Sequence, residues 1–327
     1  MTWNSLFSPL AITSSDPLPK LIITHLTSWS AITVTGTDTK SYLQGQLTCD
    51  VVSVADDKST LGAHCDPKGK MWSIFRLFHH GEGLALFQHA DALDTALAEL
   101  KKYAVFSQVS IANTTDVALG VIGEQADAFI NSLSEQQGDV RGISGGTAVK
   151  VSHNRWLLLL SEDKAAELVS KTTEADFADE TIWDCCDIQE AVPRITIANQ
   201  NEHIPQALNL HLLDGVCFTK GCYTGQETVA RAKYRGANKR GMFKVSGHCD
   251  ALLSKEPLLE RRVGDNWRSA GPLITQYQYS NGDGIGLIVL PLDLEPNTEL
   301  RLKDTPDNHW KIDTQPYLHT DDEDTNN

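Results

Sequence analysis

A cysteine lies in the most chemically loaded stretch of the chain. Residues 220–244 read KGCYTGQETVARAKYRGANKRGMFK, with seven basic residues (Lys220, Arg231, Lys233, Arg235, Lys239, Arg240 and Lys244) and one acid, Glu227. The whole chain carries a formal net charge of −15, so this stretch is a local inversion. It suits an anionic ligand or partner, such as the glutamate tail of a cofactor, a phosphate or an RNA backbone. A solvated helix face paired with acids elsewhere is the other reading. Thr224-Gly-Gln-Glu227 fits a capping box, which predicts a helix beginning near Gly225, running toward Tyr234 and stopping at Gly236. Cys222 then lies two residues before the cap, at the positive end of the helix dipole, with Lys220 adding positive potential. Both effects favour a thiolate, the reactive form of a cysteine. Gly221 and Gly225 permit a tight turn around it with exposed backbone amides. The bland alternative is a small residue tucked into a turn.

The elements that must carry this stretch are only partly legible. Residues 31–35 alternate as a strand, and Thr37, with Asp38 in the first turn, is a candidate cap for a helix reaching about Gln44. Residues 71–78 alternate again, with Trp72, Ile74 and Phe78 on one face. Leu93, Ala96, Leu97 and Leu100 have helical spacing over 91–103. Residues 117–122 and 155–160 read as strands, and 163–171 as a helix. Strands and helices mix without strict alternation, which favours α+β. From Gly241 onward, short strand-like runs (242–245, 274–279, 285–290, 300–302) are separated by Gly, Pro, Asn and Asp, as in a small β-barrel or sandwich. The first twenty residues read as a loose lead-in. Residues 321–327 read as a disordered acidic end.

Composition bounds the function. At 327 residues the chain can bury a core in two or three domains, and 41% hydrophobic with 22% charged residues marks a folded protein. The acidic total argues against a surface made for nucleic acid, DNA included, and leaves direct RNA contact to the basic stretch alone. Neither a secretory leader nor a run long enough to span a bilayer is present, so the expected location is the cytoplasm. The seven cysteines are irregularly spaced and contain no C-x-x-C pair. Cys217 and Cys222 lack the third nearby cysteine of an iron–sulfur loop, so no metal is expected.

Lys220-Gly-Cys-Tyr-Thr-Gly-Gln-Glu227 resembles the K-G-C-Y-x-G-Q-E signature of the YgfZ family, a relative of the folate-dependent aminomethyltransferase of glycine cleavage. The likeness extends through Tyr42-Leu-Gln-Gly-Gln-Leu-Thr48 with Asp50, residues 63–72, 101–107, 204–210 and 231–240. It implies three domains in a ring: a folate-binding α+β domain at 20–110, interleaved with a second α+β domain at 111–240, then a small β-barrel at 241–315 and an acidic tail at 316–327. It implies tetrahydrofolate as ligand, with Trp29 and Trp183 as its aromatic walls. It implies a role in tRNA modification, by methylthiolation, through upkeep of iron–sulfur enzymes, with indirect effects such as regulation of replication initiation. Cys222 and Lys220 are then the reactive pair, supported by Gly221, Tyr223, Gly225, Gln226, Glu227 and Arg231. No defined reaction follows from this. A folate-dependent aminomethyl transferase is the alternative. Aminomethyltransferases carry I-E-A-G-x-P, whose acid meets the pterin, whereas this chain reads Ile188-Gln-Glu-Ala-Val-Pro193 and places Gln189 there.

Overall fold

The computed structural model describes residues 3–295, 297–314 and 316; the acidic end at 317–327 lies outside them. The first strands are β1 (Ile22–His25), β2 (Trp29–Thr35), β3 (Thr60–Cys65), β4 (Met71–His80), β5 (Gly83–His89) and β6 (Ser110–Asn113). Helix α1 (Thr39–Gln44) follows β2, and α2 (Leu93–Tyr103) follows β5. Next come β7 (Val117–Ile122), α3 (Ala126–Leu133), β8 (Val140–Ile143), β9 (Gly146–Ser152), β10 (Arg155–Leu160), α4 (Glu162–Lys171), β11 (Asp176–Ala178) and α5 (Thr181–Gln189). After α6 (Gln226–Tyr234) the chain is all strand: β12 (Arg240–His248), β13 (Leu258–Val263), β14 (Asn266–Pro272), β15 (Thr275–Gln278), β16 (Asp283–Pro291), β17 (Leu300–Leu302) and β18 (His309–Ile312).

These strands make three sheets: β3-β4-β5-β2-β6, β11-β1-β7-β10-β9-β8 and β14-β13-β17-β18-β12-β16-β15. The fold is α+β, and all pairings are antiparallel except β1 with β11. β1 precedes the first sheet in sequence yet pairs in the second, so the two units exchange chain segments.

The first sheet is buried on both faces, so β4 carries apolar residues on each: Phe75 and Leu77 on one, Ile74 and Phe78 on the other. Ile32, Val34, Phe75, Leu77 and Leu86 pack under α1 and α2. Ala31, Ala63, Ile74, Phe78 and Phe87 face the other way, into a cluster that also takes Ile122 and Leu157 of the second sheet, Trp183 of α5 and Tyr277, Leu287 and Val289 of the third sheet. All three sheets therefore meet at one apolar centre. The second sheet covers its outer face with α3 and α4 around the fully buried Trp156.

Residues 3–20 are not a loose lead-in; residues 1 and 2 lie outside the described residues. Trp3 lies 4.7 Å from His25 and Phe7 5.6 Å from Phe177, Ser8 bridges to Ala178, and Ile12 is buried. Aromatic and aliphatic residues spaced among Ser and Pro have no helical or strand period, so only tertiary contact reveals their role.

His64 on β3 is fully buried, and both ring nitrogens lack hydrogen-bond partners among the described residues. Burial holds its pKa down at about 3. The unfolded chain takes up this proton near pH 6.5 while the folded protein refuses it until about pH 3. Its contribution is present above pH 6.5 and is lost as pH falls toward 3. We expect unfolding free energy to drop by up to about 1.4 kcal/mol per pH unit over this window. Denaturant titrations at pH 7, 6, 5 and 4 should show His64→Leu with a flatter dependence than the native protein.

Candidate functional site

Cys222 is exposed and stands on a segment docked onto the first sheet's unit from far along the chain. Thr224 donates its amide to Gly45 O (3.2 Å), and Cys217 donates its amide to Thr48 O (2.9 Å). The Thr48 hydroxyl, fully buried, donates to Gly215 O (2.6 Å) and accepts from the Ala63 amide (2.8 Å). Lys220 inserts its ammonium between two backbone carbonyls, Leu47 O and Cys49 O, each at 2.7 Å. Burial lowers the Lys220 pKa, and the group acts here as a clamp on the 47–49 loop. Tyr223 is buried, with the Lys220 ammonium 5.1 Å from its ring centre.

The capping box does not form. The cap of α6 is Gly225, at φ 84, without a side-chain hydrogen bond. Thr224 turns its hydroxyl to Gln46 Oε1 (3.5 Å), and Glu227 pairs with Arg231 one turn on (2.7 Å). The reason is close packing against the turn at 66–70. A Cβ on Gly225 would stand 2.5 Å from Asp66 O and 2.9 Å from Gly69 Cα, and one on Gly69 would stand 2.9 Å from Thr228 Cβ. Two glycines let two backbones touch, and the left-handed cap this needs takes Thr224 out of capping position. Gln226 opens α6 with its amide on Tyr223 O (3.2 Å). Gly221 meets nothing that a Cβ would strike. The helix ends at Tyr234, with Gly236 at φ 60 just beyond. Segments 42–50, 63–72 and 220–227 thus converge on one place.

Five cysteines are buried, and burial raises the thiols of Cys49, Cys65, Cys185, Cys186 and Cys249. Cys217 is half-buried and differs from them. Burial raises its thiol, but hydrogen bonds from the Thr219 hydroxyl and from the amides of Thr219 and Lys220 outweigh that and hold it below the usual thiol range. The sequence carried no signal for it beyond its closeness to Cys222. Of the basic residues in this stretch, Arg231, Lys233, Arg235, Lys239 and Arg240 are exposed. Lys233 stacks on Phe218, 3.8 Å from the ring centre.

A second feature lies between the first two sheets. Trp29 at the start of β2 and Trp183 on α5 line one narrow apolar slot of about 40 Å³ with Leu61, Ile74, Phe87 and Leu157. It adjoins an open cavity of about 490 Å³ and shares Leu61, Arg76, Val151 and Val192 with it. Trp183 is 2% exposed and packs closely on Gly120, where a Cβ would come within 2.6 Å of its ring. Trp29 is partly exposed and stacks on Phe87 at 5.2 Å.

Each tryptophan is backed by a guanidinium: Arg155 lies 4.4 Å from the Trp183 ring and Arg194 4.9 Å from that of Trp29. Asp187 joins the two arginines, accepting from Arg155 at 2.7 Å and from Arg194 at 2.8 Å. Arg155 also meets Glu190 (2.6 Å), and Arg194 meets Asp184 (2.5 Å). Burial pushes Asp184 up to about 6 despite Arg194 beside it. Among the described residues, the buried Nε atoms of Arg155 and Arg194 have no partner. Sequence reasoning missed this network because its members sit at 155, 184–190 and 194 with no motif spacing. The only available signal was charged residues inside apolar runs.

Gln189 is not brought to the slot. Trp183 and Asp187 are four apart on α5 and face it together; Cys185 and Gln189, also four apart, share the next face, toward the third sheet. The Gln189 amide donates to Tyr279 Oη at 2.8 Å.

Two α+β sheets that exchange segments and a seven-stranded C-terminal antiparallel sheet make up an aminomethyltransferase-like fold. The crystal structure of the glycine cleavage system aminomethyltransferase T from Bartonella henselae superposes with a TM-score of 0.71 at 14% identity, covering 91% of this chain and 86% of that one. Residues 238–305 match the family model described as the β-barrel domain of YgfZ. The chain is 56% identical over 319 residues to the tRNA-modifying protein YgfZ of Vibrio atlanticus (97% of this chain, 98% of that protein). It is 47% identical to the Aliivibrio fischeri protein of the same name (97% and 99%) and 40% identical to that of Yersinia pseudotuberculosis (98% and 100%). The chain belongs to the YgfZ family.

Among the described residues, no helix is long and apolar enough to cross a membrane.

Proposed function

We propose that this protein binds tetrahydrofolate at the slot between the first two sheets and serves tRNA modification, by methylthiolation, through upkeep of the iron–sulfur enzymes involved. Cys222 is its reactive group. The observation that supports the ligand is the meeting of Trp29 and Trp183, 154 positions apart, on one cavity whose polar wall is Asp187 with Arg76 and Arg194, the buried Nε of Arg194 having no partner among the described residues. Such a wall suits a pterin: apolar contact for the ring faces, an acceptor for ring N–H groups and donors for ring nitrogens. When bound, tetrahydrofolate would supply a reduced pterin able to carry one-carbon units. The chain's own residues orient it and exclude water. The relatives' shared name, tRNA-modifying protein, supports the pathway. Aminomethyl transfer is not proposed, because Gln189 replaces the acid and turns to Tyr279. Regulation of replication initiation would be a downstream effect of altered tRNA.

The slot of about 40 Å³ is narrow, so a flat ring entering it would be gripped between its walls. Trp29, partly exposed, is the wall free to move; Trp183 is locked over Gly120. Titrating tetrahydrofolate into the native protein should give binding at micromolar concentrations together with a change in tryptophan fluorescence. Trp29→Ala should weaken binding by more than about tenfold, the scale of one lost aromatic contact. Tight binding that survives Trp29→Ala would place the ligand elsewhere and end this reading of the slot.

A further inference from the structure

We propose that Arg76 is the anion-recognition residue of this site and takes a carboxylate of the ligand's glutamate tail. The inference rests on the folate reading above and adds a residue and a contact to it. Arg76 lies on β4 opposite Leu61 of β3 and Phe87 of β5, on the face turned toward the slot. It is the charged side chain common to the linings of the apolar slot and the open cavity of about 490 Å³. A ligand with a flat ring in the slot and its tail in the cavity passes this guanidinium.

Its pairing singles it out from its neighbours. Arg155 and Arg194 divide Asp184, Asp187 and Glu190 between them in four close ion pairs. None of the ion pairs among the described residues includes Arg76, whose hydrogen bond is to a neutral group, the Ser59 hydroxyl, at 3.1 Å. Burial, with Arg155 repelling it, lowers its pKa to about 10 against the weaker pull of Asp187 and Glu190, neither of which is close enough to form an ion pair with it. A desolvated guanidinium without a carboxylate is costly to keep, and a bidentate carboxylate is the partner its planar fork matches. Local acids do not supply one. Both Glu190 oxygens are taken, by Arg155 and by the Ser152 hydroxyl (2.6 Å). Glu190 and Asp214 also line the open cavity, so it is not broadly positive. It selects one carboxylate by contact rather than a polyanion by field. The basic stretch at 220–244 is not needed for this step.

The test compares tetrahydrofolate with 6-methyltetrahydropterin, which has the ring but no tail, by calorimetry on the full-length native protein, Arg76→Met and Arg76→Lys. Arg76→Met should weaken tetrahydrofolate about tenfold to a hundredfold, the scale of one charge-assisted contact, and leave the pterin's affinity unchanged. Arg76→Lys should recover part of the loss. Unliganded Arg76→Met should melt no lower than the native protein, because a partly buried charge with no ion-pair partner among the described residues has been removed. Unchanged tetrahydrofolate affinity in Arg76→Met, or equal weakening of both ligands with a lowered melting temperature, overturns the role of Arg76 while the slot keeps its ligand. Native protein that binds neither compound overturns both readings together.

Discussion

Replacing Cys222 by Ser should cut the protein's activity in tRNA methylthiolation on the order of a hundredfold or more, the scale at which removal of an essential acid–base or nucleophilic group registers. Restoration of methylthiolated tRNA in cells lacking the native protein is the readout. The melting temperature should not move. Cys222 is exposed, and the docking of its segment is carried by backbone groups, by Lys220 and by the Gly69–Gly225 contact. Serine keeps the shape and the hydrogen-bonding group but is hardly ionised at neutral pH and is a poor soft ligand. The comparison that gives the result meaning is Cys217→Ser. Cys217 has the thiol that its surroundings hold down, although it is half-buried. Should Cys217→Ser be the inactive variant and Cys222→Ser the active one, the reactive group moves five residues upstream. Should both be active, thiol chemistry leaves the account altogether.

The largest loss of stability should come from Arg155→Met. Arg155 is 1% exposed and holds Asp187 and Glu190 at 2.7 and 2.6 Å. Breaking a buried pair from one side leaves its partners charged without compensation, at a cost of about 3–5 kcal/mol. Melting should fall by roughly 5–15 °C for a chain of this length. The apolar replacement fills the volume, so the loss reports charge rather than a cavity. Glu190→Gln should cost far less, because that carboxylate's side chain is 36% exposed and recovers water. Equal melting of Arg155→Met and the native protein would mean that Arg194 alone neutralises Asp187. Trp183 should then keep its place over Gly120 without the guanidinium behind it.

How much was legible depended on whether a feature was local. Residues 117–122, 155–160 and 300–302 showed their period in a few residues and are strands β7, β10 and β17 with those bounds. The change of texture near Gly241 marks the start of the third sheet, because short strands with Gly and Asn between them need no distant information. Helix α5 was not seen. Nearly all of Ile182 to Ile188 is buried, and an all-round buried helix has no polar face to create a period. The capping box at 224–227 was legible and misleading. Local propensity favoured it, but the approach of Gly69 fixed the left-handed turn at Gly225.

By itself the sequence determined the membership, the α+β class, the basic motif around Cys222 and the two tryptophans worth testing. These are matters of residue type at short range, or of a motif long enough to be specific. Tertiary structure alone decided that β1 crosses into the second sheet and that Lys220 serves backbone carbonyls. It also turned Gln189 away from the slot and brought in Asp187 with Arg76 and Arg194. The physical reason is that a buried charge is placed by where its counter-charge comes to rest. Arg155 and Asp187, or Trp29 and Arg194, become neighbours only when two sheets close on each other.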